Sequence, residues 1–289
     1  MKVRIITGVI SSFLVIMLLV FTGLGYQGVM SVPMGAFAAI AAYEIMRVSK
    51  CKNKVLTVVS MVVSAIVPAY VDFDLQQYIP VPLSVLLTIY ITVLLLIMLK
   101  YYETTKFEHV ALAVFGSLVI PAALGTFFKV RDLCVNYPDV FQRSHCVFLI
   151  LCAMYCAWMS DTWAYFIGSK FGKHKLAPKI SPKKSVEGFI AGIFGTTLFC
   201  VVTYLICDHF YFHIKSLNVW MVFIGAVILA LLGTCGDLSA SVIKRNFGEK
   251  DFGNLFPGHG GVLDRIDSFL LTMPSLYALV EIGIAIAER

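Results

Sequence analysis

Nine apolar stretches, each long enough to cross a membrane as a helix, constrain this sequence more than any other feature. A hydrocarbon core about 30 Å thick needs roughly 20 apolar residues per helix. The stretches cover approximately residues 5–24, 28–46, 55–71, 81–99, 109–128, 146–167, 188–207, 219–243 and 268–287. Strands of a membrane barrel would instead show about ten residues of alternating polarity. The sequence therefore predicts an all-α, polytopic membrane helical bundle with about nine transmembrane helices.

Composition supports a membrane protein, because 59% of the 289 residues are hydrophobic and only 14% are charged. Such a chain has too little polar surface to cover a soluble globule. The first stretch follows Lys2 and Arg4, as a cleavable signal would, but it is long and "TGLGYQG" matches an A-x-A cleavage site poorly. We expect a retained helix and a single integral membrane unit over residues 1–289.

The distribution of basic residues predicts the orientation, since Lys and Arg accumulate in cytoplasmic loops. With the N-terminus in the cytoplasm, 18 of the 23 Lys and Arg residues lie on the inner side. Two polar loops, residues 168–188 and 244–267, then face the cytoplasm. Basic inner loops also suit anionic lipid headgroups.

The eighth apolar stretch and its exit carry four polar residues on one helical face. Asp237, Ser241, Lys244 and Arg245 follow the spacing i, i+4, i+7, i+8. An ionised carboxylate such as Asp237 near the membrane costs about 2.5 to 3.5 kcal/mol on insertion scales. A bound cation would offset that cost.

The loop "PGHGGVLDRIDS" places Asp264 and Asp267 three residues apart, where the ninth helix should begin. Its glycines allow backbone N–H groups to approach phosphate oxygens, although the pattern matches neither a Walker A loop nor a Rossmann fingerprint. Acidic residues also cap helices routinely. We favour a ligand role for Asp264, and for Asp267 both interpretations stay open.

The other inner loop contains six lysines and the segment "SPKKSVEG". We favour a solvated positive loop for Lys170, Lys173 and Lys175, whereas Lys183 and Lys184 lie beside a helix N-terminus, which is a natural anion site. Asp161, in the preceding helix, either binds metal or pairs with a lysine. Carboxylates, cations, hydroxyls and a glycine loop together suit Mg²⁺ and a polyphosphate.

The stretch 241–267 resembles the signature of the phosphatidate cytidylyltransferase, or CDP-diacylglycerol synthase, family. That signature reads S-x-x-K-R-x4-K-D-x-G-x2-[LIF]-P-x-H-G-G-x2-D-R-x-D. Every fixed position is matched, by Ser241, Lys244, Arg245, Lys250, Asp251, Gly253, Phe256, Pro257, His259, Gly260, Gly261, Asp264, Arg265 and Asp267. "SDTWAY" and "SPKKSVEG" also resemble family segments, with Ser185 where Thr is commoner.

The resemblance implies transfer of the cytidylyl group of CTP to phosphatidate, with Mg²⁺ held by Asp237 and Asp264. It also implies membrane lipids as surroundings, a homodimer, no nucleic-acid partner, and a site on the cytoplasmic side of a bacterial inner membrane. We expect catalytic roles for Asp237, Lys244, Arg245, Lys250, Asp264 and Arg265. We expect substrate binding by Asp161, Ser181, Lys183, Lys184, Ser241, His259, Gly260, Gly261 and Asp267.

We assign residues 146–289 to catalysis, and the role of residues 1–145 is open. His259 is either a proton relay or a structural hydrogen-bonding group. Two rival functions remain: a CTP-dependent lipid kinase, which would release CDP, and an ion-coupled transporter using Asp161 and Asp237. A CDP-alcohol phosphotransferase would need D-x2-D-G-x2-A-R, which the sequence lacks.

Overall fold

The computed structural model describes residues 17, 20, 24, 28–212, 214, 216–256 and 260–287. Eight of the nine predicted apolar stretches form helical segments there, and the first, residues 5–24, lies almost entirely outside the described residues. The helices are α1 Ser31–Val48, α2 Lys54–Asp72, α3 Leu83–Lys100, α4 Phe107–Val114, α5 Ile120–Arg131, α6 Leu133–Asn136, α7 Arg143–Phe171, α8 Val186–Phe210, α9 Val219–Asn246, α10 Leu263–Ile266 and α11 Phe269–Ala287. A π-helical turn, Phe115–Val119, joins α4 to α5, and a 3₁₀ turn, Leu75–Gln77, follows α2.

Seven helical segments in the described part are long and apolar enough to cross a membrane, which confirms an all-α polytopic membrane protein. They are Lys54–Asp72, Leu83–Lys100, Phe107–Arg131, Arg143–Phe171, Val186–Phe210, Val219–Asn246 and Leu263–Ala287. Helix α1 is not among them and carries Glu44 and Arg47 near its end. The count of nine and the cytoplasmic N-terminus stay predictions.

The chain divides into two compact units, and neither unit is continuous in sequence. Among the described residues, the first unit contains those within 28–125 and 246–265, and the second contains those within 126–245 and 266–287. The prediction of separate roles for residues 1–145 and 146–289 concerns function and stays a prediction.

In the first unit, small residues let α1 pack closely on its neighbours. A Cβ atom at Gly35 would lie 2.5 Å from the Ala65 carbonyl oxygen of α2. Asn53 caps α2, because its side-chain oxygen accepts hydrogen bonds from the N–H groups of Val55 and Leu56 at 3.0 and 3.2 Å. These contacts hold the start of α1 against α2 and fix the first turn of α2.

In the second unit, α7 and α8 pack along a line of glycines. A Cβ at Gly188 would lie 2.6 Å from the Ala164 carbonyl oxygen, and one at Gly192 would lie 2.7 Å from that of Ser160. Small residues four apart are the usual means by which membrane helices approach closely. The close approach places Asp161 of α7 beside the start of α8.

The lysine-rich segment between α7 and α8 is a short antiparallel hairpin rather than an open loop. Strands β1 Lys175–Ala177 and β2 Ser181–Ser185 pair with an irregular register. Ser185 ends β2 and caps α8, since its Oγ accepts the Gly188 N–H at 3.2 Å. The hairpin thereby holds Lys183 and Lys184 just before the first turn of α8.

Candidate active site

Lys184 joins two carboxylates in the second unit. Its Nζ lies 3.2 Å from Asp161 Oδ1 on α7 and 2.5 Å from Asp237 Oδ2 on α9. The side chains of Lys184 and Asp237 are about one-fifth exposed, whereas that of Asp161 is half exposed. Three elements that are distant in sequence therefore meet at one ammonium group, and the pairing of Asp161 with a lysine is what the structure shows.

The electrostatics of this cluster keep Lys184 charged. Burial by itself lowers the pKa of the Lys184 ammonium, but the attraction of Asp161 and Asp237 outweighs burial and raises the pKa above its ordinary value of 10.5. An ammonium held between two carboxylates also marks a place where positive charge is stable.

The predicted polar face of α9 is present and mostly turned inward. Ser241 and Lys244 are both buried, and Asp237 is partly buried, while Arg245 at the end of α9 is exposed. Arg245 Nε donates to the Ile180 carbonyl oxygen in the hairpin at 3.3 Å. Helix α9 and the lysine hairpin therefore touch at two points, through Asp237 and, at the end of the helix, through Arg245.

Asp267 is buried just before α11, in the same unit. Its Oδ1 accepts the Ser268 N–H at 2.8 Å, and it lies within electrostatic range of Asp237, Lys244 and Asp161. Both interpretations from the sequence keep their support, since Asp267 bonds the chain entering α11 and also belongs to the charged cluster.

A cavity of about 240 Å³ opens beside the cluster. Four of the predicted substrate-binding residues line it, namely Asp161, Ser181, Lys183 and Lys184. Tyr165, Ser185, Thr234 and apolar side chains complete the lining. The cations of Lys183 and Lys184, with the hydroxyl groups of the lining, make this cavity suitable for an anionic group.

Asp264 lies in the first unit and is bonded to the glycine loop. Its Oδ2 accepts the N–H groups of Phe252 at 2.8 Å and of Gly261 at 2.9 Å. Gly260 adopts a left-handed φ of +84°, and its carbonyl oxygen accepts the Phe256 N–H at 2.9 Å. The Gly261 amide, predicted to contact phosphate, here donates to Asp264.

Glu44 and Arg47 hold the same loop from α1, and neither is among the site residues predicted from the sequence. Glu44 is buried, and its two carboxylate oxygens accept the N–H groups of Val262 at 3.0 Å and of Leu263 at 2.8 Å. Arg47 Nη2 donates to the Phe252 carbonyl oxygen at 2.9 Å. An acidic residue inside an apolar stretch was the available signal, because such residues require partners.

The remaining predicted residues have less definite positions. Lys250 and Arg265 are exposed in the first unit. His259 lies outside the described residues, together with Pro257 and Gly258. The joint metal role of Asp237 and Asp264 concerns one residue from each unit and stays a prediction.

The carboxylates of the candidate site are oxygen donors of the kind that suits Mg²⁺. In the part of the chain that the structure describes, no three His, Cys, Asp or Glu side chains form a group able to hold a metal. Mg²⁺ does not require such a group, because it is usually bound by one or two carboxylates together with substrate phosphates and water. The carboxylates around Lys184 are hard oxygen donors that already surround a positive charge.

Comparison with known proteins finds one matching family and several similar curated proteins. The cytidylyltransferase family model matches residues 2–283. Phosphatidate cytidylyltransferases of Staphylococcus haemolyticus, Staphylococcus aureus and Staphylococcus epidermidis are 43%, 44% and 42% identical to this chain over 138 residues. Each alignment covers 48% of the chain and 51% of the relative, so the chain matches about half the length of these curated relatives. Because the family match spans nearly the whole sequence, it confirms the family predicted from residues 241–267, and the chain belongs to the cytidylyltransferase family.

Proposed function

We propose that this protein is a phosphatidate cytidylyltransferase, which makes CDP-diacylglycerol and pyrophosphate from CTP and phosphatidate. A phosphate oxygen of phosphatidate forms a bond to the α-phosphorus of CTP while the bond from that phosphorus to the leaving pyrophosphate oxygen breaks. Family membership and the similarity to phosphatidate cytidylyltransferases support the reaction. The observation that carries it to this chain is the cation-lined cavity beside Lys184, Asp161 and Asp237.

The reaction brings two anions together, so the task of the protein is to neutralise charge and hold the reactants in line. Lys183 and Lys184 line the cavity and would bind phosphate oxygens there, with Ser181 as a hydroxyl donor. Lys244 and Arg245 on α9, and Lys250 and Arg265 beyond it, are assigned to the same neutralisation. No protein nucleophile is needed, because phosphatidate supplies the attacking oxygen.

Mg²⁺ is proposed as the cofactor, with Asp237 and Asp264 as its protein ligands. When bound, the ion would neutralise charge on the triphosphate. The proposal extends to a cytoplasmic site in a bacterial inner membrane, to phosphatidate entering from the surrounding lipid, and to a homodimer. Crosslinking of the purified protein in lipid nanodiscs tests the homodimer.

The decisive experiment follows the label from CTP. Purified protein in nanodiscs is given defined phosphatidate, Mg²⁺ and CTP labelled at either the α- or the γ-phosphorus. Cytidylyl transfer moves the α-label into lipid and releases the γ-label as pyrophosphate. A lipid kinase would instead move the γ-label into lipid and release CDP. In a separate assay in reconstituted vesicles, substrate flux without CTP would favour a transporter; either result would overturn the proposal.

Asp264→Asn is the variant that tests the site. The amide keeps one oxygen able to accept the Phe252 and Gly261 N–H groups, so the loop should stay folded while the charge is lost. We expect activity to fall by more than about 100-fold, since even outer-shell partners of metal ligands are worth about 10- to 100-fold. The matched control is Asp139→Asn at an exposed position, which should leave turnover unchanged. Full activity of Asp264→Asn would exclude the metal role.

A further inference from the structure

A buried glutamate on α1 holds backbone that lies more than 200 residues away in sequence. Glu44 is only 3% exposed, and each of its carboxylate oxygens accepts one backbone N–H, from Val262 at 3.0 Å and from Leu263 at 2.8 Å. Both donors directly precede Asp264. One turn further along α1, Arg47 donates to the Phe252 carbonyl oxygen at 2.9 Å.

Asp264 completes the same arrangement from within the loop. Its Oδ2 accepts the N–H groups of Phe252 and Gly261. Three consecutive amides, at residues 261, 262 and 263, therefore donate to two carboxylates, and Phe252 is bonded at both its N–H and its carbonyl oxygen. A backbone segment whose polar groups are satisfied in this way has little freedom to rotate.

Glu44 explains two glycines of the loop, Gly253 and Gly261, whereas the left-handed φ of Gly260 explains the third. A Cβ atom at either Gly253 or Gly261 would collide with Glu44 Oε1. The loop backbone thus wraps closely around one carboxylate, which only glycine permits at both positions. The charge of a glutamate in an apolar helix is also accounted for, because charged side chains in such helices need hydrogen-bonding partners.

We propose that Glu44 is a positioning residue: its carboxylate fixes the backbone of residues 261–263 and thereby fixes the direction in which Asp264 presents its carboxylate. The catalytic consequence rests on the proposed function, in which Asp264 acts on the nucleotide. Arg47 supports the same backbone through Phe252. Residues 1–145, whose role the sequence left open, in this way contribute to the site.

Glu44→Gln is the direct test. The amide keeps one acceptor oxygen but turns an NH₂ group toward a backbone N–H, so one of the two hydrogen bonds is lost. Glu108→Gln is the matched control, because the Glu108 side chain is half exposed and forms a surface ion pair with Lys106 at 3.6 Å. Hydrogen–deuterium exchange by mass spectrometry and steady-state kinetics are measured on each protein in nanodiscs.

We expect exchange of the peptide containing Val262 and Leu263 to become at least about tenfold faster in Glu44→Gln, as loss of a buried hydrogen bond predicts. We expect kcat to fall at least about tenfold while the KM for phosphatidate stays unchanged, since small misplacement of a reacting group lowers turnover. Glu44→Asp, which keeps the charge on a shorter stem, should recover part of the lost kcat.

Two results would overturn the proposal: unchanged exchange at residues 262–263, or faster exchange with wild-type kcat. If Glu44→Gln does not fold, Arg47→Met provides the second variant, and it should lower kcat while speeding exchange of the peptide that contains Phe252. Failure of the proposed function would look different, because wild type itself would then make no CDP-diacylglycerol.

Discussion

Replacing Lys184 with Met should destabilise the protein, because it leaves two carboxylates facing each other without their shared cation. The Lys184 ammonium lies 2.5 Å from Asp237 and 3.2 Å from Asp161. Met keeps most of the length and apolar volume of the lysine stem, so the change isolates the charge.

The expected loss of unfolding free energy follows from how exposed each member of the ion pairs is. Removing one member of a fully buried ion pair costs about 3 to 5 kcal/mol, whereas exposed pairs are worth at most about 1 kcal/mol. Lys184 and Asp237 are about one-fifth exposed, and Asp161 is half exposed, so solvent screens the second contact more. We expect a loss of about 2 to 3 kcal/mol, mostly from Asp237.

A double-mutant cycle separates the pair from other effects of the substitution. The free energy of unfolding is measured in mixed micelles for Lys184→Met, Asp237→Asn and the double variant, without substrate. We expect a coupling energy of about 1 to 2 kcal/mol, because the double variant leaves no unpaired charge at Asp237. The control Lys183→Met, at the exposed neighbour, should change stability by less than about 0.5 kcal/mol. A coupling energy near zero would refute the ion pair as a stabilising contact.

Two further predictions concern the same unit. Since the folded-state pKa of Lys184 is raised, the stability that its charge contributes is complete below pH 10.5 and is lost only as pH rises through the raised pKa. The loss of unfolding free energy in Lys184→Met should therefore be equal at pH 7 and pH 9 in the same assay. A loss that shrinks between these pH values would contradict the raised pKa. Gly192→Ala should lower stability by about 1 to 3 kcal/mol, because its Cβ would meet the Ser160 carbonyl oxygen at 2.7 Å. Gly225→Ala, which has open space around the new Cβ, should be neutral or slightly stabilising in the same measurement.

Hydropathy was sufficient to locate the long helices that the structure describes, because a membrane helix satisfies its own backbone and forms one continuous apolar run. The short helices α6 and α10 lie outside the predicted apolar stretches. The start of α8 was also readable, since Ser185 and Glu187 have the composition of a helix N-terminus. The polar face of α9 followed from spacing alone. Features that depend on neighbouring residues alone, such as a helix, its start and its polar face, could therefore be predicted from the sequence.

The hairpin β1–β2 gave no such pattern, because its sequence lacks apolar alternation and contains Pro182 within β2. Nor could spacing identify which of six lysines reaches the carboxylates. That choice depends on the close approach of α7 and α8 at Gly188 and Gly192, which sets the distance from Asp161 to the hairpin.

Glu44 shows how a contact between distant segments can still leave a trace in sequence. A carboxylate within an apolar helix lacks donors, whereas a glycine-rich loop has amide groups that no helix or strand satisfies. The carboxylate needs donors and the loop amides need acceptors, and in the structure the Val262 and Leu263 N–H groups donate to Glu44. Asp72, buried at the end of α2, follows the same rule by accepting the Gly28 N–H at 3.0 Å. Since Gly28 has a left-handed φ of +80°, both buried acids bond backbone at a bend that depends on glycine. When a sequence of this kind shows an acidic residue within an apolar helix, its glycine-rich loops are therefore the first candidates for its hydrogen-bond donors.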